Sequence, residues 1–314
     1  MNDTSRSGLD IARCIMPVYS DNPKVKLVMV GGSVSRGCAD DYSDLEIGVF
    51  WSTAPLPDER TSAIERLGGE LWTFDRAAGN EHYGLKELVI DGNVYQGTAM
   101  ISTQHMTVAE VDACLSAVLD RYDTSMSKQV LLSAIQHAIP LYGAPLLHEW
   151  QTRVAHYPDE LAIKMVQENL WFGPWFWPEA YSARDDILVL YQHFIWAEQC
   201  ILKVLAGLNR VYYPSSEHKW MDQFIAGLQV APRNCSSRMK QVFGKVPLEG
   251  WSQLKELLYE TVALVEEHLP DVNTRSLFEG HPEVNTVWAR KRWETYPPYT
   301  LMRNMSEFPA PEVG

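Results

Sequence analysis

The stretch that most constrains this chain is residues 25–51, VKLVMVGGSVSRGCADDYSDLEIGVFW. Residues 25–30 are an apolar run of the kind a buried strand needs. Gly31 and Gly32 end it, and Ser33-Val34-Ser35-Arg36-Gly37 reads as a tight turn that can lead into a short helix. A second apolar run starts at Leu45 and reaches Trp51. If the strand begins at Asp44, side chains alternate between its faces, so Asp44 and Glu46 point the same way. Two neighbouring carboxylates repel one another and lose solvation, and they are tolerable mainly with a positive charge between them. Magnesium meets that need, because it takes a few carboxylates and completes its shell with phosphate and water oxygens.

The upstream half carries what a metal-bound nucleotide also requires. Glycines let backbone approach phosphate oxygens closely, Ser33 and the exposed amides can donate hydrogen bonds to them, and Arg36 adds a fixed positive charge. A Gly-Gly-Ser turn alone is more often a plain surface turn. The whole string is more specific. Gly32-Ser33 with Gly37, followed by Ser43-Asp44-Leu45-Glu46, resembles the signature of the polymerase-beta-like nucleotidyltransferase superfamily. There, Gly-Ser-x-x-x-Gly leads to a strand bearing Asp-x-Asp or Asp-x-Glu, and the latter form is similar to that of certain aminoglycoside nucleotidyltransferases. The resemblance is strong over residues 25–51 and useful to about residue 145.

What the resemblance implies is transfer of a nucleoside monophosphate from a nucleoside triphosphate, ATP foremost, to an acceptor hydroxyl. Asp44 and Glu46 would bind Mg2+, while Gly31, Gly32, Ser33 and Arg36 would hold the phosphates. The acceptor would be a small molecule, in the sharpest version an aminoglycoside-like or lincosamide-like antibiotic, which would make the protein an antibiotic-resistance enzyme. In the family a third carboxylate on a later strand helps hold metal or acts as general base. Residues 94–102, VYQGTAMIS, contain no Asp or Glu, and the aligned position is Gln96, which cannot take a proton. Glu87, on the preceding strand, is the substitute candidate, against its plain reading as a solvated strand residue.

Composition narrows the partners. A length of 314 residues favours two domains. The net charge of -13 argues against a nucleic-acid partner and suits a cationic substrate. Five widely spaced cysteines without a C-x-x-C pair fit reduced thiols better than a disulfide framework or a zinc site. No apolar run reaches membrane-spanning length and the N-terminus lacks an apolar signal core, so the expected location is the cytoplasm. The sequence shows no heptads or repeats, and it leaves the oligomeric state open.

Along the chain, residues 8–19 read as a helix interrupted by Pro17, 58–67 as a helix, and 71–74 as a short strand. Residues 75–84 read as a mobile loop near the site, and 85–90 with 94–102 as a hairpin around Asp91-Gly92-Asn93. Thr107-x-x-Glu110 is a capping-box start, a second helix covers 128–138, and 139–143 reads as a last strand or buried turn. Beyond a boundary placed near Pro145, helices dominate: 147–156, 158–172, 183–209, 217–229, 236–243 and 251–269. The aromatic cluster from Trp171 to Trp177 reads first as filling of a helix joint and second as a stacking surface. The order Leu208-Asn209, Tyr213-Pro214, Lys219 resembles the helical domain of some bacterial superfamily members, which implies that Lys219, with Tyr213 nearby, faces the triphosphate. A small basic run, Arg290-Lys291-Arg292, lies in the proline-rich tail.

The expected fold is therefore α/β (α+β), a small mixed-sheet nucleotidyltransferase domain over 1–145 followed by an all-helical domain over 146–314. Two rivals stand beside the small-molecule enzyme. One is a nucleotide-binding module that lost catalysis with its third carboxylate. The other is a nucleotidyltransferase acting on a protein or, against the charge, an RNA.

Overall fold

The computed structural model describes residues 1–90, 93–170, 178–215 and 218–274. The fold is α+β. In chain order come α1 (Asp3–Ser20), β1 (Val25–Val30), α2 (Gly32–Ser35), β2 (Leu45–Trp51), α3 (Pro57–Arg66), β3 (Glu70–Asp75), β4 (Asn80–Ile90) and β5 (Asn93–Thr107). Then follow α4 (Val108–Arg121), α5 (Met126–His137), β6 (Ile139–Tyr142), α6 (Ala144–Val154), α7 (Asp159–Asn169), α8 (Pro178–Ala183), α9 (Ile187–Asn209), α10 (Met221–Ala226), α11 (Cys235–Phe243) and α12 (Pro247–His268). Among the described residues, no helix is long and apolar enough to cross a membrane.

The six strands form one mixed sheet in the order β3-β4-β5-β2-β1-β6. The β2–β5 pair is parallel and the other pairs are antiparallel. Helices cover both faces of the sheet's centre, which is why β1 and β2 read as continuous apolar runs rather than alternating ones. Leu45, Ile47, Val49 and Trp51 of β2 pack with Leu9, Ile15 and Tyr19 of α1 and with Ala63 and Ile64 of α3. Phe50, with Leu27 and Met29, faces the other way, onto Val111 and Leu115 of α4, Leu132 of α5 and Trp150 of α6. The Phe50 and Trp150 rings meet edge to face at 5.2 Å. The helices just after Pro145 thus pack on the sheet. The chain divides into two compact units, Met1–Ala162 with Arg210–Glu217, and Ile163–Asn209 with the chain from His218 onward.

Several elements differ from the sequence reading. Helix α1 continues through Pro17 to Ser20. Pro17 enters only the last turn, where it forfeits one bond, to the carbonyl four residues before it, and leaves little helix beyond to redirect. The helix starts at Asp3 because the Asn2 side chain caps the Ser5 amide at 2.9 Å. Residues 80–84 are strand rather than mobile loop, and β5 runs on to Thr107. The polar residues that suggested a loop are instead satisfied inside the sheet.

Glu81 is fully buried and accepts from Arg60 Nε of α3, from Thr103 Oγ1 at 2.7 Å and from His105 Nε2 at 3.0 Å. Trp51 Nε1 donates to His105 Nδ1 at 2.9 Å, so a neutral His105 carries its proton on Nε2, toward Glu81. Burial pushes the Glu81 carboxyl up, but His105, Thr103 and Arg60 together outweigh it and hold the group below the usual carboxylate range. This contribution is present above the unfolded value of about 4.3 and is lost as pH falls through the lower folded value. Arg60→Met, which strands the buried carboxylate, should cost about 3–5 kcal/mol at neutral pH in urea unfolding.

In the second unit, α9 supplies a buried stripe of Leu190, Phe194, Ile201, Leu205 and Leu208. Phe194 stacks on Trp251 of α12, with ring centres 6.2 Å apart. Glu198 is buried in the same helix, and its Oε1 has no hydrogen-bond partner among the described residues. Burial pushes its carboxyl up to about 8. The folded state therefore prefers the protonated form. That preference stabilises fully below the unfolded value of about 4.3 and is lost as pH rises toward about 8. Glu198→Gln should leave stability near pH 4 almost unchanged and raise it at pH 8–9, as read by thermal unfolding across pH.

Candidate functional site

The expected site residues of the first unit lie where β1 and β2 run side by side. Val30 sits opposite Ile47, and the Gly31 N–H donates to the Glu46 carbonyl at 3.0 Å. The turn therefore leaves β1 directly beside the residue that carries the second carboxylate. Gly32 adopts φ +58°, and a Cβ built on it would lie 1.3 Å from Glu46 Oε2. The Glu46 side chain thus occupies the space that any larger residue at Gly32 would need. Behind the turn, the Ser35 and Arg36 amides donate to the Gly31 and Gly32 carbonyls, both at 3.2 Å, which winds residues 32–35 into a single helical turn. Ser33 is half-buried, and its hydroxyl has no hydrogen-bond partner among the described residues.

Asp44 immediately precedes β2 and is half-buried. Its approach is fixed by a small turn: Asp40 Oδ1 accepts from the Tyr42 amide at 3.0 Å and from Ser43 Oγ at 2.9 Å. Asp44 has no hydrogen-bond partner among the described residues. Glu46 is half-buried on the sheet face that also carries Phe50. Arg36 stands behind the turn rather than over it. Its guanidinium donates to Ser133 Oγ at 3.1 Å, to the Ser133 carbonyl at 3.3 Å and to the Gly32 carbonyl at 3.3 Å. Burial lowers its pKa, against which the negative charge of Glu46 works. Arg36 therefore ties the turn to α5 and balances the Glu46 carboxylate from behind.

The β2–β5 register shows what neighbours the carboxylates. Glu46 is opposite Ser102, and Leu45 is opposite Ile101. Gln96, aligned in the sequence with the family's third carboxylate, lies six residues before Ser102 and pairs with Glu87 in the outer hairpin. At about 3.3 Å per residue, both stand roughly 20 Å along the strand from Glu46. Glu87 is solvent-exposed there, and the register does not bring it to the carboxylate pair. The misalignment came from ending β5 at residue 102. The strand continues to the Thr107 cap, where Thr107 Oγ1 accepts from the Glu110 amide at 3.1 Å. The parallel register with β2 then places Ser102, not Gln96, beside Glu46.

Lys219 is exposed in the turn before α10 and belongs to the second unit, while Tyr213 is buried in the first. The aromatic cluster at 171–177, the Asp91-Gly92 turn and the Arg290-Lys291-Arg292 run lie outside the described residues. Among the described residues no three His, Cys, Asp or Glu side chains converge as a self-contained metal cage. All five cysteines are free thiols, Cys200 and Cys235 buried and the others half-buried.

Comparison with known proteins gives distant similarities. A family model described as a domain of unknown function (DUF4037) matches residues 124–221, which excludes the 25–51 stretch. No curated protein matches the chain. A nucleotidyltransferase-like protein from Exiguobacterium sibiricum is 11% identical, with 98% of this chain and 96% of that one covered and a TM-score of 0.39. The Cid1 poly(U) polymerase is 15% identical over 43% of this chain and 41% of its own, with a TM-score of 0.25. Its Mg-GTP-bound form is 18% identical over 43% of each chain, also with a TM-score of 0.25. Similarity at this level assigns no activity to the chain.

The turn's geometry makes a paired prediction. Gly32→Ala must both adopt a positive φ and displace the Glu46 carboxylate, and should cost about 1–3 kcal/mol. Gly31→Ala meets nothing within 4 Å at an ordinary φ, so its urea-unfolding midpoint should stay close to wild type.

Proposed function

We propose that the protein is a nucleotidyltransferase that moves a nucleoside monophosphate from a magnesium-bound nucleoside triphosphate to a hydroxyl of a small molecule. The observation that carries this reading is the apposition of the Gly31-Gly32-Ser33 turn to the Asp44/Glu46 edge of β2, through the Gly31–Glu46 hydrogen bond. Phosphate recognition and paired carboxylates then occupy one corner of the sheet, as such chemistry requires.

In this reading the Ser33 hydroxyl and the turn's backbone bind the phosphates, and Asp44 and Glu46 hold the metal. The donor set suits magnesium, which is commonly held by one or two carboxylates together with substrate phosphates rather than by an all-protein cage. Once bound, the ion would neutralise charge developing on the phosphoryl oxygens. Arg36 holds the turn through Ser133 and the Gly32 carbonyl and places a positive charge beside Glu46. Lys219 remains the candidate second-unit partner for the triphosphate. ATP is the first donor to test. The acidic balance of -13 favours a cationic acceptor of the aminoglycoside or lincosamide kind over nucleic acid.

One observation favours a second reading. The strand position beside Glu46 is Ser102, which cannot act as a carboxylate ligand or base. A module that binds magnesium nucleotide without turning it over would have this arrangement. The two readings share the nucleotide site and differ in product.

Thermal unfolding with each of the four ribonucleoside triphosphates, with and without magnesium, tests the shared part. A ligand at about 100 times its dissociation constant should stabilise the fold by about 2.7 kcal/mol. The shift should require magnesium and vanish in Asp44→Ala, whose own unfolding stays cooperative. A shift retained by that variant removes the metal assignment. Labelled product on candidate acceptors then separates enzyme from module.

A further inference from the structure

The face of the sheet that carries Asp44 and Glu46 does not end at β2. Directly paired residues in neighbouring strands project to one face, as do residues two apart in a strand. Glu46 pairs with Ser102, and Ser102 pairs with His82 of β4. Met100 shares that face and pairs with Gly84. A Cβ built on Gly84 would meet the Trp72 ring at 2.4 Å, so the indole of β3 lies over this glycine on the same face. On the opposite face, Glu81, Tyr83, Ile101 and Thr103 are buried. Here, by contrast, Trp72 is 45% exposed and Met100 40% exposed. His82 and Ser102 are half-buried.

Aromatic cover of a strand glycine is by itself a sheet-stabilising device. Two features go beyond it. Nearly half of the indole still faces solvent, and beside it stands a histidine with one ring nitrogen engaged, Nδ1 lying 2.7 Å from Thr73 Oγ1. In the tautomer that donates Nδ1–H to that hydroxyl, Nε2 is a proton acceptor. Three columns thus run across the open face: the carboxylate pair, the small Ser102, and His82 with Trp72 beyond it. At about 4.8 Å between strands, His82 lies roughly 10 Å from Glu46, with Ser102 leaving open space between.

We propose that the open face of β3, β4 and β5 is the acceptor subsite, where Trp72 stacks a ring of the hydroxyl-bearing acceptor and His82 takes the proton of the attacking hydroxyl. This rests on the nucleotidyltransferase reading and supplies the base that Ser102 cannot. The acceptor oxygen forms a bond to the α-phosphorus as the bond from that phosphorus to the bridging pyrophosphate oxygen breaks. Pyrophosphate leaves with the electron pair. The hydroxyl proton passes to His82 Nε2, and the imidazolium returns it to solvent. Thr73 positions the ring. The continuity of this face with the carboxylate pair is what assigns it to the acceptor rather than to an unrelated ligand.

The test uses the full chain with α-labelled ribonucleoside triphosphates and magnesium, with kanamycin, lincomycin and adenosine as ring acceptors and water as the acceptor in their absence. His82→Gln should lower turnover by about 10²–10⁴-fold on every acceptor, water included, with acceptor KM nearly unchanged. Imidazole should restore part of the rate to His82→Ala. Trp72→Leu, with Trp72→Phe as the conservative control, should raise the ring acceptor's KM about tenfold and spare transfer to water. Magnesium-nucleotide thermal shifts should survive in all of these variants. Wild-type turnover in the His82 and Trp72 variants, with Asp44→Ala inactive, overturns the subsite and leaves the nucleotide site standing. Nucleotide binding without transfer to any ring acceptor also overturns it. Absence of any nucleotide shift in wild type overturns both.

Discussion

The contact on which the candidate site depends is the seating of the Glu46 carboxylate over Gly32. It is possible only because residue 32 has no side chain and takes a positive φ. The same contact joins three otherwise separate features. The β1–β2 pairing brings the turn to Glu46, the turn carries the half-buried Ser33, and Arg36 behind it pins the arrangement to Ser133 of α5. A carboxylate held this close to backbone needs a countercharge, and Arg36 supplies it from the protein side. The proposed metal and nucleotide would supply it from the solvent side.

The sheet divides its polar chemistry between two faces. Under α1 and α3, Arg60, Glu81, His105, Thr103 and Trp51 satisfy one another in full burial, so that network acts as structure. On the other face the polar groups of β2, β4 and β5 are half-buried, and among them Asp44 has no protein partner among the described residues. Satisfied polar groups rigidify a sheet, whereas accessible ones are where a ligand can contribute the missing interactions. This contrast supports placing the proposed chemistry on the Asp44 face rather than around the larger buried charge cluster.

The α+β class and the strand-turn-strand at 25–51 were legible because they are local: apolar runs, a double glycine, and carboxylates two residues apart. The helix after Thr107 was legible from its capping box and periodicity. What the sequence hid depends on partners distant in the chain. Residues 75–84 look like a loop because His82 and Glu81 are polar, yet Glu81 is paired by Arg60 from 21 residues away. Ser102 could not be recognised as the neighbour of Glu46 without the register of a parallel pair. Pro17 looked like a stop because its effect depends on how much helix follows it. The site residues of the second unit, Lys219 foremost, rest on resemblance.

The most direct measurement of the central claim is an electron paramagnetic resonance titration with Mn2+ in place of magnesium. The account predicts one tightly held manganese per chain that appears only with a nucleoside triphosphate present, and that is lost in Asp44→Ala and in Glu46→Gln. Manganese bound equally by wild type and both variants, or not held at all in the presence of every nucleotide, would contradict it.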